Sequence, residues 1–251
     1  MLAAERRQII IESAKRDKRV LVSELSQRFQ VTEETIRRDL EKLEKEGIVT
    51  RTYGGAITNE HTSEDLPFAT RKSTNAEIKQ AIAQKALTYI KDGDTLMMDP
   101  SSTSLELLKL LPARRKLTII TSSIYMLQES VNTGLHLIST GGSLRGSSMS
   151  LVGTVAQDTV NKYNVDTVVL SCKALSLEKG VMDSSEPECE LKKAMIRQSG
   201  KVILLADHSK FDKTAFVQLM EFGQINVLVT DREPSAAWLD VLHEHGIEVV
   251  Y

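Results

Sequence analysis

Apolar positions recur at helical spacing from the start of the chain. Ile9, Ile10 and Ala14 give the first segment a partly apolar face. In RVLVSELSQRF, Ser23 reads as an N-cap, and Leu25 and Phe29 sit four apart on one face of a short helix. Gln30-Val31 is a brief connection. Thr32 reads as a second N-cap, with Glu33 and Glu34 in the first turn, where the helix dipole favours carboxylates. Ile36, Leu40 and Leu43 then form one narrow apolar stripe. Thr35, Arg38, Lys42 and Lys45 project from the other side, with Arg37 on its flank. Gly47 is expected to close this helix. IVTRTYGGAI follows, alternating around Gly54-Gly55, which predicts a small hairpin carrying Arg51 and Tyr53 at its edge.

The pattern then lapses. Residues 59–75, NEHTSEDLPFATRKSTN, are polar and without a sustained period, so they read as linker, with some order around Leu66-Pro67-Phe68. From Ala76 a new rhythm begins. EIKQAIAQKALTYI has helical spacing, and short apolar runs follow: TLMM, LTIIT, LHLIST, VDTVVLS, KVILLAD, INVLVT and IEVVY. Helical segments stand among them: SLELLKLL, IYMLQES, TVAQDTVNKY, ECELKKAMIRQ and AAWLDVLHEH. Strands and helices alternating at these lengths predict an α/β domain with a mostly parallel sheet covered on both sides. The expected organisation is a winged helix-turn-helix over 1–57, a linker over 58–75 and an α/β domain over 76–251.

Composition narrows the function classes. At 251 residues, 41% hydrophobic and 26% charged, the chain can bury a substantial core. Aromatics at 4% argue against a base-stacking platform for single strands. No apolar run reaches the length of a membrane span, and the N-terminus has neither a signal-peptide core nor the character of a transit peptide. A cytoplasmic protein without a membrane partner is expected. Cys172 and Cys189 form neither a disulfide framework nor a metal-site spacing, so two reduced thiols, no metal and no cofactor are expected. Net charge is −2, but residues 1–58 carry 12 Lys/Arg against 10 Asp/Glu and the remainder 20 against 24. That asymmetry points weakly to nucleic acid at the N-terminal end.

Two short helices with a tight turn, the second basic on its outer face, read as a helix-turn-helix whose second helix enters the DNA major groove. Arginine suits guanine O6 and N7, or a phosphate, through its planar fork. A paired arginine on an amphipathic helix is often only a solvated face, and the neighbouring carboxylates can pair with it locally. The caps, the spacing and the following wing together narrow the reading to DNA. In the larger domain, ligands are expected beyond the carboxyl ends of strands. Asp99 to Ser104 (DPSSTS), Thr121 to Ser123, Gly141 to Gly153 (GGSLRGSSMSLVG), and the pair Lys192 and Lys210 supply hydroxyls, glycines and cations there. Each has an ordinary structural reading as cap, turn or surface charge. Together they favour a small phosphorylated, polyhydroxylated ligand, and no nucleotide-binding loop is present.

VSELSQRFQVTEETIRRDLEKLEKEGIVTRTYGGA resembles the N-terminal winged helix of DeoR-type bacterial transcription regulators. The resemblance implies DNA contacts at Arg37 and Arg38, with Thr32, Thr35, Lys42, Arg51 and Tyr53 in support. It continues to about residue 232 through DPSSTS, TSS, GGSLRGSSMSLVG, VDTVVLS, ECELKKAMI, LLADHSKF and VLVTD, similar to the DeoR-type sensor domain. That domain has a sugar-phosphate isomerase and CoA-transferase-like fold. The implied effector contacts are Asp99, Ser101, Ser102, Thr103, Ser122, Gly141, Gly142, Arg145, Glu188, Lys192 and Lys210. After the VDTVVLS strand many relatives have Gly-x-Asp-Gly, whereas here Ser171-Cys172-Lys173-Ala174 stands. A carboxylate has become Lys173, which suits charge recognition better than a proton-moving base. Lys173 either meets an anionic effector or faces solvent in a structural turn.

The expected function is sequence-specific transcriptional regulation, as a repressor of a carbohydrate catabolic operon released by a phosphorylated sugar or related anion. A homodimer or homotetramer on double-stranded operator DNA is expected, without enzymatic activity. The alternative is a sugar-phosphate isomerase-like enzyme with an appended DNA-binding module.

Overall fold

A computed structural model describes residues 3–45, 48–58, 65–114 and 116–251. The chain divides into two compact units, Met1–Thr70 and Arg71–Tyr251. Gly47, expected to cap a helix, and residues 59–64 of the expected linker lie outside the described residues.

The first unit runs α1 (Ala3–Asp17), β1 (Arg19–Leu21), α2 (Val22–Phe29), α3 (Glu33–Lys45), β2 (Val49–Thr52) and β3 (Gly55–Thr58). Its core joins Ile10 and Ala14 of α1, Leu25 of α2, Ile36, Leu40 and Leu43 of α3, and Val49 and Ala56 of the wing. Burying each such aliphatic side chain is worth about 1.5–3 kcal/mol, enough to fix α3 by its one apolar stripe. The second predicted cap forms: Thr32 Oγ1 accepts the Thr35 N–H at 3.3 Å. The first does not. Helix α2 begins at Val22, one residue before Ser23, and its N-cap Leu21 offers no side-chain acceptor. The Gly54 carbonyl accepts the Val22 N–H at 2.9 Å instead, so the wing tip closes that helix. Between α2 and α3 the chain turns through Gln30 at φ 50°.

The wing is three-stranded, in the order β1-β3-β2 and antiparallel throughout. The short β1 is one strand more than the expected hairpin. It explains the second glycine of the tip: a Cβ on Gly55 would stand 2.1 Å from the Val20 carbonyl oxygen of β1. Only hydrogen fits where the two backbones pass.

Next come α4 (Phe68–Ser73), a helix inside the segment read as linker, and α5 (Ala76–Ala86). The second unit continues with β4 (Thr95–Met98), α6 (Ser102–Leu108), β5 (Thr118–Thr121), α7 (Ile124–Glu129), β6 (His136–Ser139), β7 (Ser143–Arg145) and β8 (Ser150–Val152). It then runs through α8 (Thr154–Val160), β9 (Val165–Ser171), β10 (Ala174–Ser176), β11 (Gly180–Asp183), α9 (Glu186–Arg197) and β12 (Ser199–Leu205). The last elements are β13 (Val217–Met220), β14 (Val227–Val229), α10 (Ala236–Glu244) and β15 (Glu248–Val250). The seven apolar runs are the seven strands of one sheet, ordered β15-β14-β12-β9-β4-β5-β6. Every neighbouring pair is parallel. Met97, Val168, Leu170 and Leu204 pack with Leu191 and Met195 of α9 and with Trp238 of α10. The alternate residues Leu96, Met98, Val169 and Ile203 are equally buried, so both faces are covered.

A second, antiparallel sheet, β10-β11-β13, and the hairpin β7-β8 were not expected from the sequence. GGSLRGSSMSLVG is therefore a hairpin rather than an open loop. Its Gly142, at φ 110°, could not carry a Cβ, which would meet the Val152 carbonyl oxygen at 2.5 Å.

Candidate functional site

Parallel strands deliver all their carboxyl ends to one edge of the sheet. β5 and β6 succeed β4 on one side, and the chain then returns to place β9 on the other side. The order reverses between β4 and β9, the position where open α/β sheets form a crevice. Asp99 and Ser171, the residues that end these two strands, meet there.

Asp99 is fully buried. Its Oδ1 accepts the Ser104 hydroxyl at 2.6 Å and the Ser101 N–H at 3.3 Å, and its Oδ2 accepts the Ser171 N–H at 3.1 Å. Lys192 of α9 stands 2.8 Å from the same Oδ2. It also donates at 2.8 Å to Asp183 Oδ2 and at 2.8 Å to the Ser171 carbonyl. An ammonium has three N–H donors, and Lys192 uses all three on β4, β9 and β11. Burial alone would raise the Asp99 pKa, but the Lys192 charge and the serine hydrogen bonds outweigh it and hold the carboxyl below its usual range. Burial would likewise lower Lys192, yet Asp183, Asp99 and Glu188 together raise it well above the usual lysine value.

A second network ties the β7-β8 hairpin to α9. Glu188, one turn before Lys192, accepts the Ser150 hydroxyl at 2.6 Å and faces Arg145 Nη1 at 3.8 Å. Arg145 donates to Ser148 at 2.9 Å, and Ser148 meets Ser150 at 2.8 Å. Ser102 and Thr103 are buried at the start of α6. Ser122, beyond β5, is fully buried and its Oγ has no hydrogen-bond partner among the described residues; Ser185 Oγ, before α9, shares this condition. Gly141 lies beyond β6 at φ 65°. Lys173 is half-buried after β9, and its N–H donates to the Met182 carbonyl at 3.0 Å. Lys210 follows β12 in a short 3-10 turn whose N-cap is Asp207. Among the described residues its ammonium has no hydrogen-bond or ion-pair partner.

Sequence reasoning passed over Lys79, Asp183, Ser150 and Ser185. Lys79 left a legible signal, because with Ile82, Ala83 and Ala86 it continues the apolar face of α5. A lysine on a buried stripe needs a polar destination. Burial, with the Lys210 charge acting in the same direction, lowers the Lys79 pKa to about 8. Asp183 and Ser150 lie in the strands that periodicity did not reveal. Cys172 and Cys189 are free, and burial pushes both thiols up to about 12, out of reach of nucleophilic work at neutral pH. Among the described residues no group of three or more His, Cys, Asp or Glu could hold a metal ion, and no helix is long and apolar enough to cross a membrane.

In the first unit, α3 presents Arg37 and Arg38 with side chains 54% and 78% exposed. Both are paired one turn back, Arg37 with Glu33 at 2.7 Å and Arg38 with Glu34 at 3.4 Å. Thr32 and Thr35 meet through their hydroxyls at 2.9 Å at the start of the helix, and Lys42 is exposed further along. Asp39 turns inward instead, where Arg6 Nε holds it at 2.6 Å and Arg7 at 3.4 Å. It therefore takes no negative charge to the outer face. Arg51 packs along Glu44, which accepts its N–H at 2.9 Å. Tyr53 at the wing tip is fully exposed.

A winged helix that displays arginines, joined in one chain to a parallel sheet with polar side chains gathered at its strand ends, defines a two-part class: a DNA-binding unit with a small-molecule sensor. Family models agree on both parts. Residues 6–62 match the DeoR-like helix-turn-helix domain and residues 74–232 the DeoR C terminal sensor domain. The chain belongs to the DeoR family of transcriptional regulators. It is 40% identical to the HTH-type transcriptional regulator YulB of Bacillus subtilis (strain 168) over 99% of this chain and 96% of that one. It is 34% identical to the HTH-type transcriptional repressor GlcR of the same organism, over 100% of this chain and 96% of the relative. Among solved structures, ribose 5-phosphate isomerase A of Methanocaldococcus jannaschii overlaps 55% of each chain at 15% identity and a TM-score of 0.42, too loose a match to bear on function.

Proposed function

We propose that this regulator is a repressor of a carbohydrate catabolic operon, and that a phosphorylated sugar or related anionic metabolite bound at the strand ends releases it from its operator. The observation that carries the effector reading is the chemistry gathered at one edge of the sheet. Two buried serine hydroxyls stand there without hydrogen-bond partners among the described residues, and the Lys210 ammonium, close enough to Asp207 to lower its pKa, lies beside Ser101, Ser102, Thr103, Gly141, Gly142 and Arg145. Buried hydroxyls favour a hydrogen-bonding guest, and Lys210 favours an anionic one. Asp99, Lys192 and Glu188 act in this reading by shaping the crevice, since their bonding capacity goes largely to one another and to backbone. Lys173 contributes positive charge at the end of β9. On DNA, Arg37 and Arg38 exchange Glu33 and Glu34 for base edges or phosphates, and Thr32, Thr35, Lys42, Arg51 and Tyr53 flank them.

The repressor assignment is supported by the relative GlcR, a transcriptional repressor. A two-fold dimer would place its two α3 helices about 34 Å apart, one DNA turn. The isomerase alternative needs a carboxylate free to move a proton between carbons. Asp99 is buried, held ionised and bonded at both oxygens, which makes it a poor base. A thermal-shift screen of the purified chain across phosphorylated sugars tests the effector. A ligand present at 100 times its dissociation constant should add roughly 2.7 kcal/mol of stability. Absence of any shift across pentose and hexose phosphates would sink the anionic-effector reading, and interconversion of those sugars would restore the enzyme.

A further inference from the structure

The sensor unit begins at Arg71, the point where the chain arrives from the DNA-binding unit. Its first turn is held by two side chains that reach it from elsewhere in the fold. Ser102 Oγ, at the start of α6, donates to the Arg71 carbonyl at 3.3 Å. Lys79 Nζ donates to that same carbonyl and, at 2.7 Å, to the carbonyl of Thr74. Between them Asn75 caps α5 in the left-handed conformation, at φ 54°, with no side-chain cap hydrogen bond. The two donors tie the end of α4 and the start of α5 to side chains of the strand-end region.

Both donors belong to the strand-end region. Ser102 follows Asp99 at the end of β4. Lys79 lies near enough to Lys210 and Asp207, beyond β12, to feel both charges. A carbonyl is a neutral acceptor, and a phosphate oxygen bound beside a lysine is a stronger one.

We propose that Lys79 and Ser102 form a latch, either holding the Arg71 carbonyl as they do here or turning to a bound anionic effector, so that effector binding releases the Arg71–Asn75 turn. The latch rests on the anionic-effector reading above and assigns Lys79 as an effector contact. It also gives the effector a differential interaction with two states of the tether, which any ligand-driven switch requires.

Hydrogen exchange on the full chain tests it, with and without inorganic phosphate, glucose 6-phosphate and fructose 6-phosphate as probes. A bound probe is expected to slow the amides of Ser101–Ser104 and to speed those of Arg71–Asn75 and of Lys79, whose N–H donates to the Asn75 carbonyl. Without any probe, Ser102→Ala should speed Arg71–Asn75 about five-fold, the loss of one hydrogen bond, and should shrink the further change on adding the probe. Lys79→Gln should do the same more strongly; if it fails to fold, Ser102→Ala still decides. Slowing at Ser101–Ser104 with Arg71–Asn75 unchanged overturns the latch and leaves the effector reading standing. No slowing at any strand end with all three probes overturns the effector reading and the latch with it.

Discussion

Arg37 and Arg38 hold Glu33 and Glu34 in open water, whereas Lys192 holds Asp99 and Asp183 out of it. The contacts have similar lengths and different consequences. An exposed pair one helical turn apart is worth about 0.3–0.5 kcal/mol, so a better partner displaces it easily. A buried pair is locked, because either member left alone would be an uncompensated charge in a dry interior. The first arrangement suits recognition and the second suits architecture. The difference follows from where the backbone sets each residue, not from residue type.

The largest test of this contrast is Lys192→Met. It leaves Asp99 and Asp183 facing each other without a cation, and should cost about 3–5 kcal/mol in urea or thermal denaturation. A loss below about 1 kcal/mol would mean that water reaches these carboxylates. The pH dependence has two arms. Asp99 is depressed, so its contribution is present above the unfolded carboxylate pKa and is lost as pH falls through the lower folded value. Lys192 is raised, so its contribution is present below the unfolded lysine pKa and is lost as pH rises through the higher folded one. The contribution should therefore be flat across neutral pH.

Arg37→Ala and Arg38→Ala make the opposite case. Each should weaken binding to a selected operator duplex by about 1–3 kcal/mol where it reads a base. Where it meets a phosphate, the loss should instead be uniform across sequences and lower the salt slope by about 0.9. Anisotropy titrations at several salt concentrations distinguish the two, and folding stability should stay within about 0.5 kcal/mol. Unchanged affinity in the double variant would remove α3 from the DNA interface.

These two regions were unequally legible in the sequence. The stripe Ile36, Leu40, Leu43 faces one core and repeats at the helix period, so α3 and its arginines could be read directly. The seven strands of the parallel sheet were equally plain, because burial on both faces makes the inner ones nearly continuous apolar runs and the edge strands still carry two or three apolar residues in a row. The antiparallel pieces β7, β8, β10, β11 and β13 are three or four residues long, and each carries a serine, glycine, glutamine or charged residue. Most of the parallel strands are as short but are betrayed by apolar runs, which these polar-interrupted pieces largely lack. Asp183 and Ser150 were hidden with them, and with Asp183 went the reason for a buried Lys192. Ser23 misled because a hydroxyl one residue inside a helix looks like a cap, while the true acceptor, the Gly54 carbonyl, comes from far along the chain.

Lys79 lies between the two extremes, buried like Lys192 but bonded to neutral carbonyls. The charges around it are Lys210, Arg71, Asp207 and Glu106. A bound anion would favour its protonated form. With a pKa lowered to about 8, affinity for a phosphorylated sugar should be level between about pH 7 and 8, above the phosphate's own second pKa of about 6, and weaken above pH 8, approaching ten-fold per unit if only the ammonium binds. Calorimetry in buffers of different ionisation enthalpy should then show proton uptake above pH 8. A level affinity up to pH 9 would separate Lys79 from the effector.

The smallest expected effect bears directly on the exposed pairs. Glu33→Gln and Glu34→Gln free Arg37 and Arg38 from partners that must otherwise be displaced on DNA. Removing both should therefore tighten binding to arbitrary duplex by roughly the energy of the lost pairs, 0.3–0.5 kcal/mol each, or about two-fold per pair. Two further carboxylates near the phosphates would also vanish, so the gain should be greatest at low salt and fade as ionic strength rises. Against this, the first turn loses charges that complement its dipole, and α3 should become slightly less stable. A variant that binds duplex more weakly at every salt concentration would show that Glu33 and Glu34 orient the arginines for DNA instead of competing for them.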